Sequence, residues 1–490
     1  MKTTKTLCAT ALLLLLVLSA CAAPAPIAYE PVMQSPVAPA PLVHAEQGEL
    51  VEVGLSEGEA SAALYLASAA EIEAYIYAAL LAGEEDIDLS DFKIPVDSIT
   101  GVFTDVMNRY PDLYFVMPGI SYTYTAAGQV VTLNPSYRMA GEELIRARSY
   151  VNARLDEICA GVDEHWSDFE IALYLHDYLC LHFSYDTDYE IYDMYQFLQK
   201  GRGVCQAYTL TFKALLARYG IASDVAVSRD MNHIWNVVML GGQTYHVDVT
   251  WDDPIPDRAG QALHANFLRS DAGIARTGHY AWDSEALCTR DAYENTFLTE
   301  VNEPFSYTAG QWFYADSEGH AVRRVDFTTM STTTVIASDE RWLTLDGGSY
   351  YLDAFMGVGT YRGNLIYNTP KKILAHNLQS GVIVEIDVEL PRGMQIWGLW
   401  VDGDTVYYRV CDTPDGKMQT LSVSILDLAD YLWGDADQNG TVDGRDVTAM
   451  LRYLQELPAV CHTGAADLDD SGAVDARDVE ILRAYLVENH

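Results

Sequence analysis

The stretch from 199 to 254, QKGRGVCQAYTLTFKALLARYGIASDVAVSRDMNHIWNVVMLGGQTYHVDVTWDDP, constrains the fold more than any other part of the chain. Cys205 follows Gly201, Arg202, Gly203 and Val204 and opens a helical pattern. Phe212, Leu215, Leu216 and Tyr219 recur at helical spacing, and Gly220 stands where a helix C-cap belongs. A thiol in the first turn of a helix feels the positive end of the macrodipole, which favours the nucleophilic thiolate. The glycines just before it allow the backbone to come close to a substrate carbonyl.

Two runs with strand character follow, NHIWNVVML and QTYHVDVTW, joined by Gly241 and Gly242 as a tight hairpin. With two loop residues, Leu240 pairs with Gln243, Trp235 faces Asp248 and His233 faces Thr250. His233 and Asp248 then share one face as a diagonal pair, ~7–8 Å apart along the backbone. A three-residue loop would put them on opposite faces. A carboxylate beside an imidazole fixes its tautomer and stabilises the imidazolium, and the imidazole activates a thiol. Cys205 is therefore the candidate nucleophile, His233 the proton carrier and Asp248 the group that orients it. The Cys205 N–H is one candidate oxyanion donor and Gln199 the candidate second, with Tyr195 as an alternative. The non-catalytic readings are a buried inert cysteine, a structural histidine and an aspartate that only caps a turn. Trp251, Asp252 and Asp253 are read as shaping the strand end.

The pieces GRGVCQAY, NHIWNVV and YHVDVTWDDP, in the order Cys, His, Asp, resemble the transglutaminase-like superfamily. HFSYDTDY upstream and NFLRSDAGI downstream extend the resemblance over roughly residues 165 to 285. It implies a papain-like α+β core with the cysteine helix packed on a small antiparallel sheet, and acyl transfer through a thioester. The superfamily includes cross-linking transglutaminases, peptidases, amidases and inactive members. The acceptor, water or an amine, stays open; hydrolysis is favoured because no amine site can be pointed out.

The rest of the chain divides around this core, and a multidomain α+β protein is expected. Residues 1–21 have a basic n-region and a short apolar run, too short to span a bilayer, and end in Leu18-Ser19-Ala20-Cys21. This end resembles a bacterial lipobox, which implies a lipoprotein signal peptide, lipidation at Cys21 and a tether to the extracellular face of a cell membrane. The alternative is an ordinary signal peptide cleaved nearby. Residues 22–49 are rich in Pro and Ala and read as an extended linker. Residues 50–163 read as an α+β accessory region that covers the core and is a candidate wall of a substrate site, and 164–299 as the catalytic core. Residues 300–430 read as a β-rich module of hairpins; they resemble propeller blades weakly, and a meander or open curved sheet is expected. It is read as a ligand-binding module or a structural spacer. The net charge of −40 argues against nucleic acid as a partner. The cysteines show neither a disulfide framework nor zinc spacing.

Residues 431–490 hold two acidic loops, DADQNGTVDGRD and DLDDSGAVDARD, displaced by 32 residues. In the first, Asp435, Asp437, Asn439, Thr441 (by its carbonyl), Asp443 and Asp446 occupy positions 1, 3, 5, 7, 9 and 12, with Gly440 at the sharp turn. In the second the same places fall to Asp467, Asp469, Ser471, Ala473 (carbonyl), Asp475 and Asp478, with Gly472 at the turn. This is the oxygen-ligand spacing of an EF-hand-like calcium loop. The duplicated loop-helix unit resembles a type I dockerin, which implies two bound Ca²⁺ ions and a cohesin module as partner. The resemblance makes Gly444, Arg445, Ala476 and Arg477 the candidate partner-binding residues, and their near-equivalence would permit two binding orientations.

The expectation is a cell-surface cysteine acyltransferase or peptidase acting on protein or peptide amides, docked to cohesin in a cellulosome-like complex. The alternative is a non-catalytic adaptor whose dockerin anchors a cohesin-bearing scaffold involved in polysaccharide degradation.

Overall fold

The computed structural model describes residues 69–284, 286–345, 349–351, 354–378, 381–413, 416–426, 428, 434–437, 439, 441–468 and 473–489. The expected signal peptide, Cys21, the linker, and Gly440, Asp469, Ser471 and Gly472 of the acidic loops lie outside the described residues. The described chain forms two compact units that meet in sequence at residues 302 and 303.

The first unit begins with α1 (Ala69–Ala82), β1 (Ile87–Asp88), α2 (Ile99–Arg109), β2 (Val116–Tyr124) and β3 (Val130–Tyr137). These strands make a sheet of order β1-β3-β2. Ile99, Phe103 and Val106 recur along one side of α2 and are buried. Two longer helices follow, α3 (Gly141–Cys159) and α4 (Asp168–His182). Ser167 and Glu170 close a capping box at the start of α4, satisfying two orphan N–H groups.

The core proper continues with β4 (Ser184–Tyr185), α5 (Met194–Lys200), β5 (Arg202–Gly203), α6 (Cys205–Ala217), β6 (Ser223–Ser228), β7 (His233–Leu240), β8 (Gln243–Val247), α7 (Val249–Asp252) and α8 (Asp271–Arg276). Strands β6, β7 and β8 form an antiparallel sheet in that order, and α6 packs on β7 and β6. Nearly all of α6 is buried, so its apolar surface runs all round rather than in one stripe. Polar cross-links set its seat on the sheet. The Thr209 hydroxyl donates to the Ile234 carbonyl at 3.0 Å, and Asn236 Nδ2 donates to the Thr209 carbonyl at 3.0 Å. Both side chains are buried, so losing either bond would leave an unpaired polar group, at a cost of roughly 1–3 kcal/mol.

The second unit holds three separate antiparallel meanders. The first comprises β9 (Ser306–Thr308), β10 (Gln311–Asp316), β11 (Ala321–Asp326) and β12 (Ser331–Ala337). The second comprises β13 (Val358–Tyr361), β14 (Asn364–Asn368), β15 (Ile373–Asn377) and β16 (Ile383–Ile386). The third comprises β17 (Gln395–Asp402), β18 (Thr405–Cys411) and β19 (Gln419–Ser424). The expectation of one meander or open sheet is corrected: the long connections after β12 and β16 interrupt the ladder. The sheets share apolar layers instead, with Phe313, Val322, Trp342, Val358, Leu365 and Trp397 in one cluster. The Trp342 and Trp397 indole N–H groups donate to the carbonyls of Ile396 and Cys411, so these buried rings are satisfied.

The C-terminal segment has α9 (Gly444–Leu454), α10 (Thr463–Ala466) and α11 (Ala476–Asn489). Helices α9 and α11 pack together around Ala449, Met450, Val479 and Leu482, and Val442 and Val474 of the two loops join this cluster. Among the described residues no helix is long and apolar enough to cross a membrane, and the described cysteines are free thiols.

Candidate active site

The hairpin forms with the register that two glycine loop residues require. Leu240 pairs with Gln243, and Gly241 and Gly242 sit at φ +57° and +74°, which L side chains rarely adopt. The ladder ends at Asn236 and Val247. The expected pairings of Trp235 with Asp248 and of His233 with Thr250 do not form, because the chain leaves the sheet there and starts α7. Asp248 is the N-cap of that turn, its Oδ1 accepting from the N–H groups of Thr250 at 3.1 Å and Trp251 at 3.2 Å.

Capping with Oδ1 leaves Oδ2 to the imidazoles. His233 Nε2 lies 2.5 Å from Asp248 Oδ2, and His279 Nε2 lies 2.8 Å from the same oxygen. His233 Nδ1 is the ring nitrogen left over; it is buried and makes no protein hydrogen bond at ordinary length. Cys205 is near enough for its charge to favour the protonated ring. The sulfur-bearing residue packs with Val225 and Ile234 of the sheet below.

Burial opposes charge on His233, but Asp248 and Cys205 outweigh it and raise its pKa to about 10. Burial likewise opposes charge on Asp248, yet His233 and His279 hold its carboxyl far below the ordinary range. Two indoles flank the His233 ring, Trp235 at 5.5 Å and Trp251 at 5.4 Å between centroids, both near parallel. Their negative faces favour an imidazolium. Trp235 is itself fixed, its indole N–H donating to His246 Nδ1 at 3.0 Å while His246 Nε2 donates to Asp271 at 2.9 Å.

Gln199 is not brought to this cluster. It is exposed on α5, and its amide donates to the Tyr195 hydroxyl at 2.8 Å. Gly201 ends α5, and the chain then enters β5, which pairs in parallel with β4, Tyr185 opposite Gly203. Tyr195 stacks on Tyr114 instead. A Cβ on Gly203 would lie 2.5 Å from a Phe197 ring carbon and 2.7 Å from Ala207, so only glycine fits this crossing.

That crossing brings up a residue that the sequence reading did not single out. The Tyr185 hydroxyl is buried and has no hydrogen-bond partner, and burial followed by the neighbouring Cys205 pushes its pKa strongly up. The loop behind it is shaped by buried Asp186, whose Oδ2 accepts from the N–H groups of Glu190 at 2.8 Å and Ile191 at 2.9 Å. His279 was missed as well. It lies 31 residues beyond Asp248, with no local pattern that marks it.

A second histidine cluster joins the α7 turn through Asp252. His176 Nδ1 donates to Asp177 Oδ1 at 2.8 Å and its Nε2 to Asp252 Oδ2 at 3.2 Å, while His264 Nε2 meets the same Asp177 oxygen at 2.9 Å. Against burial, the two carboxylates raise the His176 pKa to about 9, and the two imidazoles hold Asp177 down at about 2.

In the C-terminal segment, carboxylate oxygens of Asp435, Asp437 and Asp446 lie within 4.8 Å of one another. Asp446 is fully buried; its oxygens accept from the N–H groups of Asp437 at 3.1 Å and Asp443 at 2.7 Å. Burial, and then repulsion from Asp437 and Asp435, still push its pKa up. Crowded hard oxygens of this kind fit a Ca²⁺ ion. Asn439 and Thr441 belong to the same loop, and Arg445 pairs with Asp443 at its edge. In the second loop Asp478 accepts from the N–H groups of Leu468 at 2.6 Å and Asp475 at 2.7 Å, the latter repeating the bond from Asp443 to Asp446. Asp467 and Ala473 stand in the described parts of that loop. Gly444 begins α9 and Ala476 begins α11, each followed by its arginine, Arg445 and Arg477.

No curated protein matches the chain. Among solved structures it is similar to the crystal structure of a TGase, at 12% identity and a TM-score of 0.20, over 27% of this chain and 44% of that one. It is also similar to a crystal structure from Parabacteroides distasonis described as a "putative protease", at 8% identity and a TM-score of 0.17, over 61% of this chain and 55% of that one. The chain thus spans about half the length of these structures. Residues 156–249 match the model of the transglutaminase-like superfamily, and residues 433–487 match the model of the dockerin type I domain. The chain therefore carries a transglutaminase-like domain and a type I dockerin domain.

Proposed function

We propose that the chain is an extracellular cysteine acyltransferase or peptidase of the transglutaminase-like type, docked to a cohesin through its calcium-dependent C-terminal module. The observation that carries this reading is the arrangement of Cys205, at the first turn of α6, against a buried His233 whose other nitrogen is held by Asp248.

Cys205 attacks the carbonyl carbon of a substrate amide as its thiolate, with the proton held on His233. The C–O π pair moves to oxygen, to which this reading assigns the Cys205 N–H and the Tyr185 hydroxyl as donors. The Cys205 N–H is the first of its helix and has no intrahelical acceptor. The tetrahedral carbon expels the amine, which takes the proton from His233, and a thioester remains. Water or a second amine then attacks the thioester, His233 takes its proton, and the thiolate is released. Asp248 keeps His233 in one orientation throughout. Water is the default acceptor, so hydrolysis is the favoured outcome.

A second reading is supported by one specific feature: Cys205 is completely buried and His233 is 2% exposed. A closed site of this kind suits an adaptor that binds but does not react. In either reading the first acidic loop, with Asp435, Asp437, Asn439, Thr441, Asp443 and Asp446, holds one Ca²⁺. The second, with Asp467, Asp469, Ser471, Ala473, Asp475 and Asp478, holds another. Gly444, Arg445, Ala476 and Arg477 face the cohesin. Lipidation at Cys21 would tether the protein to the cell surface. The two readings separate in a screen of peptides for covalent acylation, read by mass at Cys205. A thioester on Cys205 supports the enzyme; a panel in which no peptide acylates it leaves the adaptor.

A further inference from the structure

A second aspartate–histidine pair stands behind the first. His233 and Trp235 alternate along β7 and so share one face, and His246 of β8, which pairs with Val237, lies diagonal to Trp235 on that face. Trp235 and His246 are fully buried. The indole N–H donates to His246 Nδ1 at 3.0 Å, and His246 Nε2 donates to Asp271 Oδ1 at 2.9 Å. The same Asp271 oxygen accepts from the Cys288 N–H at 3.2 Å, so the carboxylate is itself held. An indole N–H can only donate, so Nδ1 must present its lone pair and the proton must sit on Nε2; Asp271 selects that tautomer. Cys288 completes a trio of possible metal ligands with His246 and Asp271. A cation on Nε2 would move the proton to Nδ1, against the indole N–H, so the trio is built for hydrogen bonding. Trp235 lies against both imidazoles that share Asp248: its ring centroid is 5.5 Å from that of His233, near parallel, and 4.7 Å from that of His279, edge to face.

We propose that His246 is a positioning residue for the Cys205 reaction: kept as an acceptor by Asp271, it fixes Trp235, and that ring holds His233 and His279 against Asp248. The proposal rests on the reading of Cys205 as the nucleophile. Protonation of His246 would set two donors face to face and release the indole. Burial lowers the His246 pKa; Asp271 and Asp248 oppose the shift and His279 adds to it. Burial pushes the Cys288 thiol up to about 12, so it stays neutral beside them. The relay is therefore intact at neutral pH and opens in acid, below the ordinary histidine value of about 6.5.

The test is alkylation of Cys205 by iodoacetamide in the full chain, read by mass. His246→Phe keeps a ring and removes the acceptor; His246→Asn puts an amide oxygen near the place of Nδ1. His246→Phe is expected to slow alkylation about tenfold, the scale of one buried hydrogen bond, and His246→Asn to recover most of the rate. Trp235→Phe is expected to slow it likewise, and His246→Phe added to Trp235→Phe to slow it no further, because His246 acts through the indole N–H. Undiminished alkylation in His246→Phe, or losses that multiply when the two are combined, overturns the proposal. If His246→Phe does not fold, the Trp235 indole N–H resonance decides, identified by its loss in Trp235→Phe. It is expected to shift with a midpoint below pH 6.5 in the unmodified chain and not in His246→Asn; the same pH response in both overturns the proposal. Slowing in His233→Ala without slowing in His246→Phe defeats this inference alone. A Cys205 rate that His233→Ala leaves unchanged defeats the catalytic reading, and the indole titration still reports whether His246 holds Trp235.

Discussion

His279 donates from Nε2 to Asp248 Oδ2 at 2.8 Å, the same carboxylate oxygen that His233 reaches at 2.5 Å. Burial first, despite Asp248, lowers the pKa of His279. It therefore serves as a neutral N–H donor that pins the carboxylate from the side opposite its cap. His279→Ala should slow acylation of Cys205 by about 10- to 100-fold, the loss of one hydrogen bond of ~1.5–3 kcal/mol to a charged group. His279→Gln, which keeps a donor, should recover much of the rate. An unchanged KM with a reduced kcat is the expected split; equal rates for wild type and the alanine variant contradict the role.

Asp248 both caps α7 and orients His233, and two substitutions separate these jobs. Asp248→Asn keeps a capping oxygen, so stability should fall little from the cap while acylation is lost by a factor of about 10³ or more. Both variants leave His233 without its carboxylate, worth ~3–5 kcal/mol for a broken buried pair, and Asp248→Ala alone also removes the cap, worth ~1 kcal/mol. Denaturant unfolding measured beside acylation rates checks both. Equal stability of the two variants would show that the cap contributes nothing.

The buried pair of His176 and Asp177 fixes a pH window for stability. The His176 pKa is raised from 6.5 to about 9, so its contribution is complete below pH 6.5 and is lost as pH rises through 9. The Asp177 pKa is lowered from 3.8 to about 2, so its contribution is complete above pH 3.8 and is lost as pH falls through 2. His233, raised to about 10, extends the alkaline decline by the same sign. The contribution of this pair to the melting temperature, read as wild type minus His176→Gln, should be constant between about pH 4 and 6.5 and fall on either side, while His279, whose pKa burial lowers, destabilises the fold separately as pH falls below 6.5. His176→Gln should lower the plateau and shallow the alkaline limb; an alkaline limb identical to wild type contradicts the assignment.

Much of this site was legible in the sequence because its signals are local. Gly241 and Gly242 demand a two-residue turn, and that turn sets the strand register as far as Asn236 and Val247. The register failed one residue later, where the Asp248 side chain competes with the ladder for backbone N–H groups and starts a helical turn. Cys205 was legible from its glycines and the helix behind it. Tyr185 and His279 were not, since a two-residue parallel bridge and a loop after α8 bring them in. Gln199 had suitable chemistry, but Gly201 ends its helix before the crossing and leaves it facing solvent. The hairpins of residues 300–430 were legible singly; their division into three sheets depends on packing among Trp342, Phe313 and Trp397, which hairpin periodicity does not encode.

Removing calcium should act on the C-terminal module alone. With no cation to offset them, the carboxylates of Asp435, Asp437 and Asp446 repel, and Asp446 is the buried member. A chelator should reduce helicity from α9 and α11 and abolish cohesin binding, and excess Ca²⁺ should restore both. Acylation at Cys205 should be unaffected. Equal cohesin binding with and without chelator contradicts the calcium dependence.

The central claim is that Cys205, His233 and Asp248 react as one unit, and intact-mass spectrometry after incubation with a peptide-amide chloroacetyl probe tests it most directly. The account predicts one adduct per chain, located at Cys205, formed at least 100-fold more slowly in His233→Ala and absent in Cys205→Ala. Adducts spread over Cys159, Cys288 and Cys461, or an undiminished rate in His233→Ala, would contradict it.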